Sequence, residues 1–396
     1  MNKSFRHWVS DAFNAPVIET KRHVWVDCLR GVVIILVVYH HAFLGMVKNG
    51  VAVPQSIMDA NMAAYSFRMP LFFIFSGIFT GLSLNSKSVN KIIWTKFNLL
   101  LYPYFIWSII QITLQILFVN YTNSDGTYKD YLYILYQPKR LAHFWYLPAL
   151  FNATIVFVLI KSKLKIKPNY HLLLGVVLFL LAPFINSISM MSNWMRFYIF
   201  LVIGDTLAYY ILRKEVQQQL KKPAYLLAFL PIFIIAQFYY FNVIGVRSLE
   251  NESATLYINY VSYFFRELGF LMISLIGCTT LILLSFLMEK QNRWKWLRII
   301  GFHSLYIYIL HVIVVGFARI IFLKFFGVDN YLVLLLTAIL FGVTIPIIFY
   351  NIIGKKYLWF LFSTERNIKP TPKLSDSSIR TSDLRIPPLQ SRVNNI

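Results

Sequence analysis

Apolar runs of membrane-crossing length recur along the chain, separated by short polar breaks. They predict ten helices, at about 24–46, 63–82, 97–119, 143–160, 171–189, 194–212, 224–242, 261–287, 299–322 and 331–354. Each is close to the ~20 residues that cross a ~30 Å hydrocarbon core. The runs are rich in Leu, Ile, Val and Phe, which also suit strands. Length decides for helix, since a transmembrane strand needs only about 10 alternating residues. The expected fold is all-α: a polytopic membrane helix bundle of about ten transmembrane helices over residues 24–354. Before it, Phe5, Trp8, Val9, Ala12 and Phe13 recur at helical spacing. Residues 1–23 are therefore expected as a cytoplasmic segment, either lying along the membrane surface or frayed. The first apolar run is too long for a cleaved signal peptide and lacks a small-residue cleavage site. Residues 355–396 are polar, with Ser, Pro and scattered charge, and read as a disordered, basic cytoplasmic tail.

Composition excludes a soluble enzyme. Hydrophobic residues make up 58% of the 396 and charged residues only 14%, against about 25% charged in a soluble globule. The net charge of +22 would suggest a nucleic-acid partner, but its distribution gives a better reading. With the N-terminus inside, the cytoplasmic segments hold 27 Lys and Arg and the outer loops hold 6. Every inner segment is basic, as the positive-inside rule requires. Both termini are expected in the cytoplasm, with weak attraction to anionic lipid as a side effect. Cys28 and Cys278 fall in different spans and imply no disulfide framework. Small buried packing is the better reading of both, ahead of Cys28 as a nucleophile.

An ionisable residue inside a span costs roughly 2.5–3.5 kcal/mol on insertion scales and is a functional candidate by default. The strongest set lies in the first helix, VWVDCLRGVVIILVVYHHAFLG, with Asp27 and Arg30 near its inner end and His40 and His41 in its outer half. Arg30 and His41 are eleven residues apart, three turns plus about 20°, so they share one face. Their axial separation is about 16 Å, of the order of an extended phosphopantetheine arm. His40 lies about 80° off that face. Asp27 is placed to orient the Arg30 guanidinium. The plain alternative is that Arg30 snorkels to inner phosphates and His41 bonds a neighbouring helix.

Further segments change that balance. Arg30, ten residues and then His41 in the first helix, together with FRMPLFFIFSG at 67–77, LLYPYFIWS at 100–108, HFWYLPALF at 143–151 and GFHSLYIYILH at 301–311, resemble the integral-membrane acyltransferase-3 family. The resemblance covers about 24–353 and keeps the order of the motifs. One Arg-x10-His is weak; five segments in order are strong. The chain looks most like the stand-alone members that O-acetylate surface sugars, with no room for the extracytoplasmic hydrolase-like domain of larger members. After the second helix many relatives have a paired-arginine loop, whereas this chain has Lys87, Lys91 and Lys96. Lysine offers phosphate a point charge without the bidentate fork.

On the ten-span map the remaining polar residues form two clusters. The inner one is Arg30 with Lys87, Lys91 and Lys96, expected to bind the donor's phosphates. The outer one is Arg68, His143, Trp145, Arg196, Arg266, Glu267 and Arg319 near the ends of their spans, with His311 nearer mid-membrane. With His41 these are expected to line an outward cavity for a hydroxylated acceptor, where His143, Trp145 and Glu267 bind substrate and Trp145 stacks on a sugar face. Arg266 and Glu267 are adjacent on one helix and are expected to point apart and pair with other helices. Asp205 is either a structural partner for an arginine or a functional carboxylate. His303 and Ser304 are read as packing or capping.

The expected reaction is acyl transfer from cytoplasmic acyl-CoA, most simply acetyl-CoA as co-substrate, to a hydroxyl of a cell-surface polysaccharide or its lipid-linked precursor. His41 serves as general base or transient acyl carrier, since its unperturbed pKa fits the task. Arg68 and His311 are the expected donors to the thioester oxygen. No tightly bound cofactor or metal and no nucleic-acid partner is expected; oligomeric state is open. Two rivals remain: a secondary transporter or flippase, for which paired Gly/Pro-broken helices are wanting, and a polymerase or ligase acting on lipid-linked sugars without coenzyme A.

Overall fold

The computed structural model describes residues 12–13, 23–119, 126–245 and 260–365. Among them regular structure is helical throughout, with no strand. The long helices are α1 (Val24–Lys48), α2 (Gln55–Ser83), α3 (Val89–Leu117), α4 (Pro138–Leu164), α5 (Pro168–Ile185), α6 (Ser189–Ile211), α7 (Pro223–Asn242), α8 (Tyr263–Gln291), α9 (Ser304–Phe325) and α10 (Tyr331–Gly354). Nine are long and apolar enough to cross a bilayer alone. α6 makes the tenth when joined to the short helix Lys214–Leu220, which follows it after a 100° bend. The all-α membrane bundle expected from hydropathy is therefore what forms.

Helix starts move where hydropathy is a poor guide. α2 begins eight residues before its apolar run, at Gln55, behind Pro54. α3 begins at Val89 rather than 97, because Ser88 caps it by accepting from the Lys91 backbone N–H at 3.4 Å. Lys91 and Lys96 thus sit on a helix, not in a loop. α3 then widens into a π turn at Phe97–Leu101, just ahead of Pro103, whose missing N–H breaks the regular ladder.

In lipid, helices associate by close packing rather than by hydrophobic expulsion. The core obeys this. Gly77 and Gly81 are four residues apart on α2 and lie against α6. A Cβ on Gly77 would overlap the Leu201 carbonyl, one on Gly81 the Asp205 carboxylate, and one on Gly204 of α6 the Ile74 carbonyl. α1 is held similarly by the short helix Lys295–Phe302, where Gly31 meets the Leu297 carbonyl and Gly301 the Asp27 carbonyl. α1 packs on α2, α8, α9 and α10 as well, and so carries its polar residues through the centre of the bundle. Exposed Leu173, Ile235 and Leu336, on α5, α7 and α10, present the apolar outer surface that lipid requires.

The expectation of an unstructured tail from residue 355 is corrected for residues 355–365. A 3-10 turn, Trp359–Leu361, docks on α3. Tyr102 Oη donates to the Phe360 carbonyl at 2.6 Å and Trp107 Nε1 to the Leu361 carbonyl at 2.9 Å. Aromatic side chains with a polar tip make this docking possible, and a composition average does not register them. Residues 366–396 lie outside the described residues, as do Phe5, Trp8 and Val9 of the amphipathic N-terminal segment. Ala12 is buried, and its carbonyl accepts from Asn351 Nδ2 at 2.9 Å.

Candidate functional site

Three imidazoles from three helices meet inside the bundle. α1 supplies His41 and α9 supplies His311; their ring centroids are 5.1 Å apart. His143 comes from the opening of α4, a 3-10 stretch in which Ala142 adopts φ 55°. That left-handed residue turns the chain just before His143. Tyr308 on α9 fastens the stretch by donating its hydroxyl to the His143 carbonyl. The His143 ring then lies 4.8 Å from His311 and 5.8 Å from His41.

The hydrogen bonds of these rings differ. His311 Nδ1 lies 2.7 Å from the Tyr308 carbonyl and 3.0 Å from that of Ile307. A carbonyl only accepts, so Nδ1 carries the proton and neutral His311 keeps a lone pair on Nε2. That Nε2 is buried without a hydrogen-bond partner. His143 is alike: Nε2 faces the Ile309 carbonyl at 3.4 Å and Nδ1 is buried without a partner. No hydrogen bond holds His41 among the described residues; it is half-buried and borders a cavity. His40 is tied instead to Asn61, with Nδ1 donating to Oδ1 at 2.9 Å. With Nδ1 held by the backbone, Nε2 is the atom of His311 left for the cluster.

The cavity has a volume of about 840 Å³. Arg68, His143, Trp145 and Glu267 all line it beside His41. Arg68 is 4% exposed, and its Nη1 reaches the Leu36 carbonyl at 3.4 Å. Trp145 packs on Phe197 with centroids 5.3 Å apart. Glu267 forms an ion pair with Arg196 of α6, Nη1 to Oε2 at 2.9 Å, and Arg266 lies 3.7 Å from its other oxygen. Glu267 pairs with another helix as expected, but Arg266 does not point away from it: its long side chain turns back to its neighbour's carboxylate. Asp205 pairs with a lysine rather than an arginine, its two oxygens 2.5 and 2.7 Å from Lys161 Nζ.

Arg30 does not line this cavity. It acts electrostatically on Lys96 and on the Tyr146 phenol, and Lys87 acts on Lys96 too. Lys96 Nζ donates to Ser76 Oγ at 3.0 Å. Arg30 and Lys87 thus lie within electrostatic reach of Lys96, while the Lys91 side chain is exposed. The Tyr146 ring lies 5.2 Å from Tyr308, whose ring lies 5.2 Å from His143. His303 is a packing residue: Nδ1 donates to the Ile299 carbonyl at 2.8 Å, Nε2 lies 3.2 Å from Asn351 Oδ1, and burial holds its pKa below the usual histidine value. Among the described residues no three His, Cys, Asp or Glu side chains are disposed to hold a metal ion.

Sequence reasoning missed Asn61, Tyr146 and Tyr308. The last two sit inside the HFWYLPALF and GFHSLYIYILH segments, where aromatic abundance hid them.

The sequence profile of the acyltransferase-3 family, described as an acyltransferase domain, matches residues 23–352. The chain belongs to this family. No curated protein and no solved structure matches it. The acyltransferase domain begins one residue before α1 and ends in the last turn of α10. It thus takes in the histidine cluster, the cavity and the Arg30 group together. The protein is a membrane acyltransferase.

Proposed function

We propose that this acyltransferase moves an acyl group, most simply acetyl, from cytoplasmic acyl-CoA to a hydroxyl of a cell-surface polysaccharide or its lipid-linked sugar precursor. The carrying observation is His41: a ring open to the cavity, without a hydrogen bond, beside two imidazoles whose N–H groups are committed to backbone carbonyls. An alcohol is a poor nucleophile near neutral pH and needs a base within hydrogen-bond reach. His41 takes the hydroxyl proton as the alcohol oxygen attacks the thioester carbonyl. The tetrahedral intermediate then expels the thiolate, and His41 returns the proton to sulfur. The buried lone pair of His311 is a site where the His41 N–H can be accepted while the ring is charged. Arg68 is the cation at hand for the developing oxyanion.

The donor's phosphates fall to Arg30, Lys96 and Lys87, with Lys91 at the exposed edge. The eleven-residue offset from Arg30 to His41 suits the reach of a pantetheine arm. The basic segments support an orientation in a cell membrane with both termini cytoplasmic, so that donor and acceptor come from opposite sides. His143, Trp145 and Glu267 are the acceptor-side residues. Membranes holding the protein, given radiolabelled acetyl-CoA, should place base-labile label in the extracted glycan. Label retained on coenzyme A, with none in glycan, overturns the proposal.

A further inference from the structure

The charge on the cavity wall is only partly balanced among the described residues. Four guanidinium groups, those of Arg68, Arg196, Arg266 and Arg319, face it, and Lys48, Lys139 and Arg140 stand exposed around it. Against these seven cations the wall offers one carboxylate, Glu267. Arg196 and Arg266 share that group. Arg140 rests on Tyr133, donating to its hydroxyl at 2.6 Å. Arg68 is the informative one. It is 96% withdrawn from solvent, has a weak bond to the Leu36 carbonyl and lies over the Tyr65 ring at 5.9 Å, and no carboxylate pairs with it among the described residues. A buried cation normally finds an anion, because its desolvation is otherwise uncompensated. The sequence also keeps Lys and Arg scarce at this end of the bundle, six in the loops, yet three of those six line this one cavity.

We infer that the acceptor is an anionic glycan, its negative group held at Arg68 while a neighbouring hydroxyl meets His41. Arg68 acts electrostatically on His40, His41 and His311, so an anion there lies at the edge of the histidine cluster. A uronic-acid carboxylate and a sugar-linked phosphate or diphosphate offer the same oxyanion chemistry. The inference rests on the reading of His41 as the transfer centre, and it adds the specificity-determining role of Arg68.

The test uses the full chain in phosphatidylcholine nanodiscs, with binding followed by tryptophan fluorescence. The probes are trigalacturonate, inorganic diphosphate and neutral maltotriose. At least one anion should bind about tenfold tighter than maltotriose in dilute buffer, and the preference should shrink at about 0.5 M salt. Whichever anion binds identifies the source of charge. Arg68→Gln should remove most of the preference and Arg68→Lys should keep part of it. Maltotriose binding as tightly as both anions overturns the inference, with or without a well-folded Arg68 variant. So does displacement of the bound anion by desulfo-coenzyme A in Arg30→Ala, since the cavity would then be the donor's. Acetyl transfer with no preference for anionic acceptors refutes this inference alone. Anion binding without any acetyl transfer to glycan refutes the proposed donor–acceptor reaction and leaves the anion site in place.

Discussion

The α2–α6 contact permits a prediction with a sign. Gly77→Ala puts a methyl group onto the Leu201 carbonyl, with the Asp205 backbone nitrogen 3.1 Å away. Both obstacles are backbone, so no side-chain rotation relieves the overlap and the helices must part. Overpacking of this kind costs typically about 1–3 kcal/mol, and a rigid obstacle puts it at the upper end. Ala gains roughly 1 kcal/mol over Gly in helix propensity, which offsets part. The net expectation is a loss of about 1–2 kcal/mol. Gly316→Ala on α9 is the control, because a Cβ there meets nothing within 4 Å. It receives the propensity gain without the clash and should be neutral or up to about 1 kcal/mol more stable. The assay is unfolding in mixed micelles of rising SDS fraction, followed by tryptophan fluorescence. Gly77→Ala at least as stable as Gly316→Ala would refute the close-packing argument.

Three further expectations follow from the polar contacts. Asp205 and Lys161 act as a structural pair on the half-exposed side of α4, so a double-mutant cycle with alanine should show coupling of about 0.5–1 kcal/mol, while Asp205→Ala protein that remains folded keeps acyl transfer. Arg30→Ala should weaken binding of a non-hydrolysable acetyl-CoA analogue about ten- to a hundredfold; Arg30→Lys should recover part of it, since the charge remains and the planar fork is lost. Unchanged binding would pass the donor role to Lys96 and Lys87. Reporter fusions at Lys139 and Lys221 should report opposite sides of the membrane, and the same side for both would break the ten-span topology.

Much of this was legible from residue order. A helix of about 20 apolar residues announces itself by length, and His41 could be placed relative to Arg30 because one helix carries both. Arg68, His143, Trp145 and Glu267 were grouped because each lies near the same end of its span. The harder parts depend on contacts between helices. Nothing local says that Asp205 meets Lys161 rather than an arginine, or that Arg266 turns back to Glu267. The left-handed Ala142 that aims His143 at His311 follows no Gly or Asn signal. The Gly77–Gly81 close-packing face went unread, and nothing local names its partner helix. The start of α3 was misplaced because its first two turns carry lysines, while the Ser88 cap that begins it is a single residue.

The central claim is that His41 performs the proton transfer of acylation. It is tested most directly by the rate of acetyl transfer from labelled acetyl-CoA to glycan, in membranes holding matched amounts of wild type, His41→Ala and His40→Ala. General base catalysis contributes about 10²–10⁴-fold, so His41→Ala should lose activity on that scale, while His40→Ala, whose ring is turned to Asn61, should lose far less. Equal rates for wild type and His41→Ala would contradict the account.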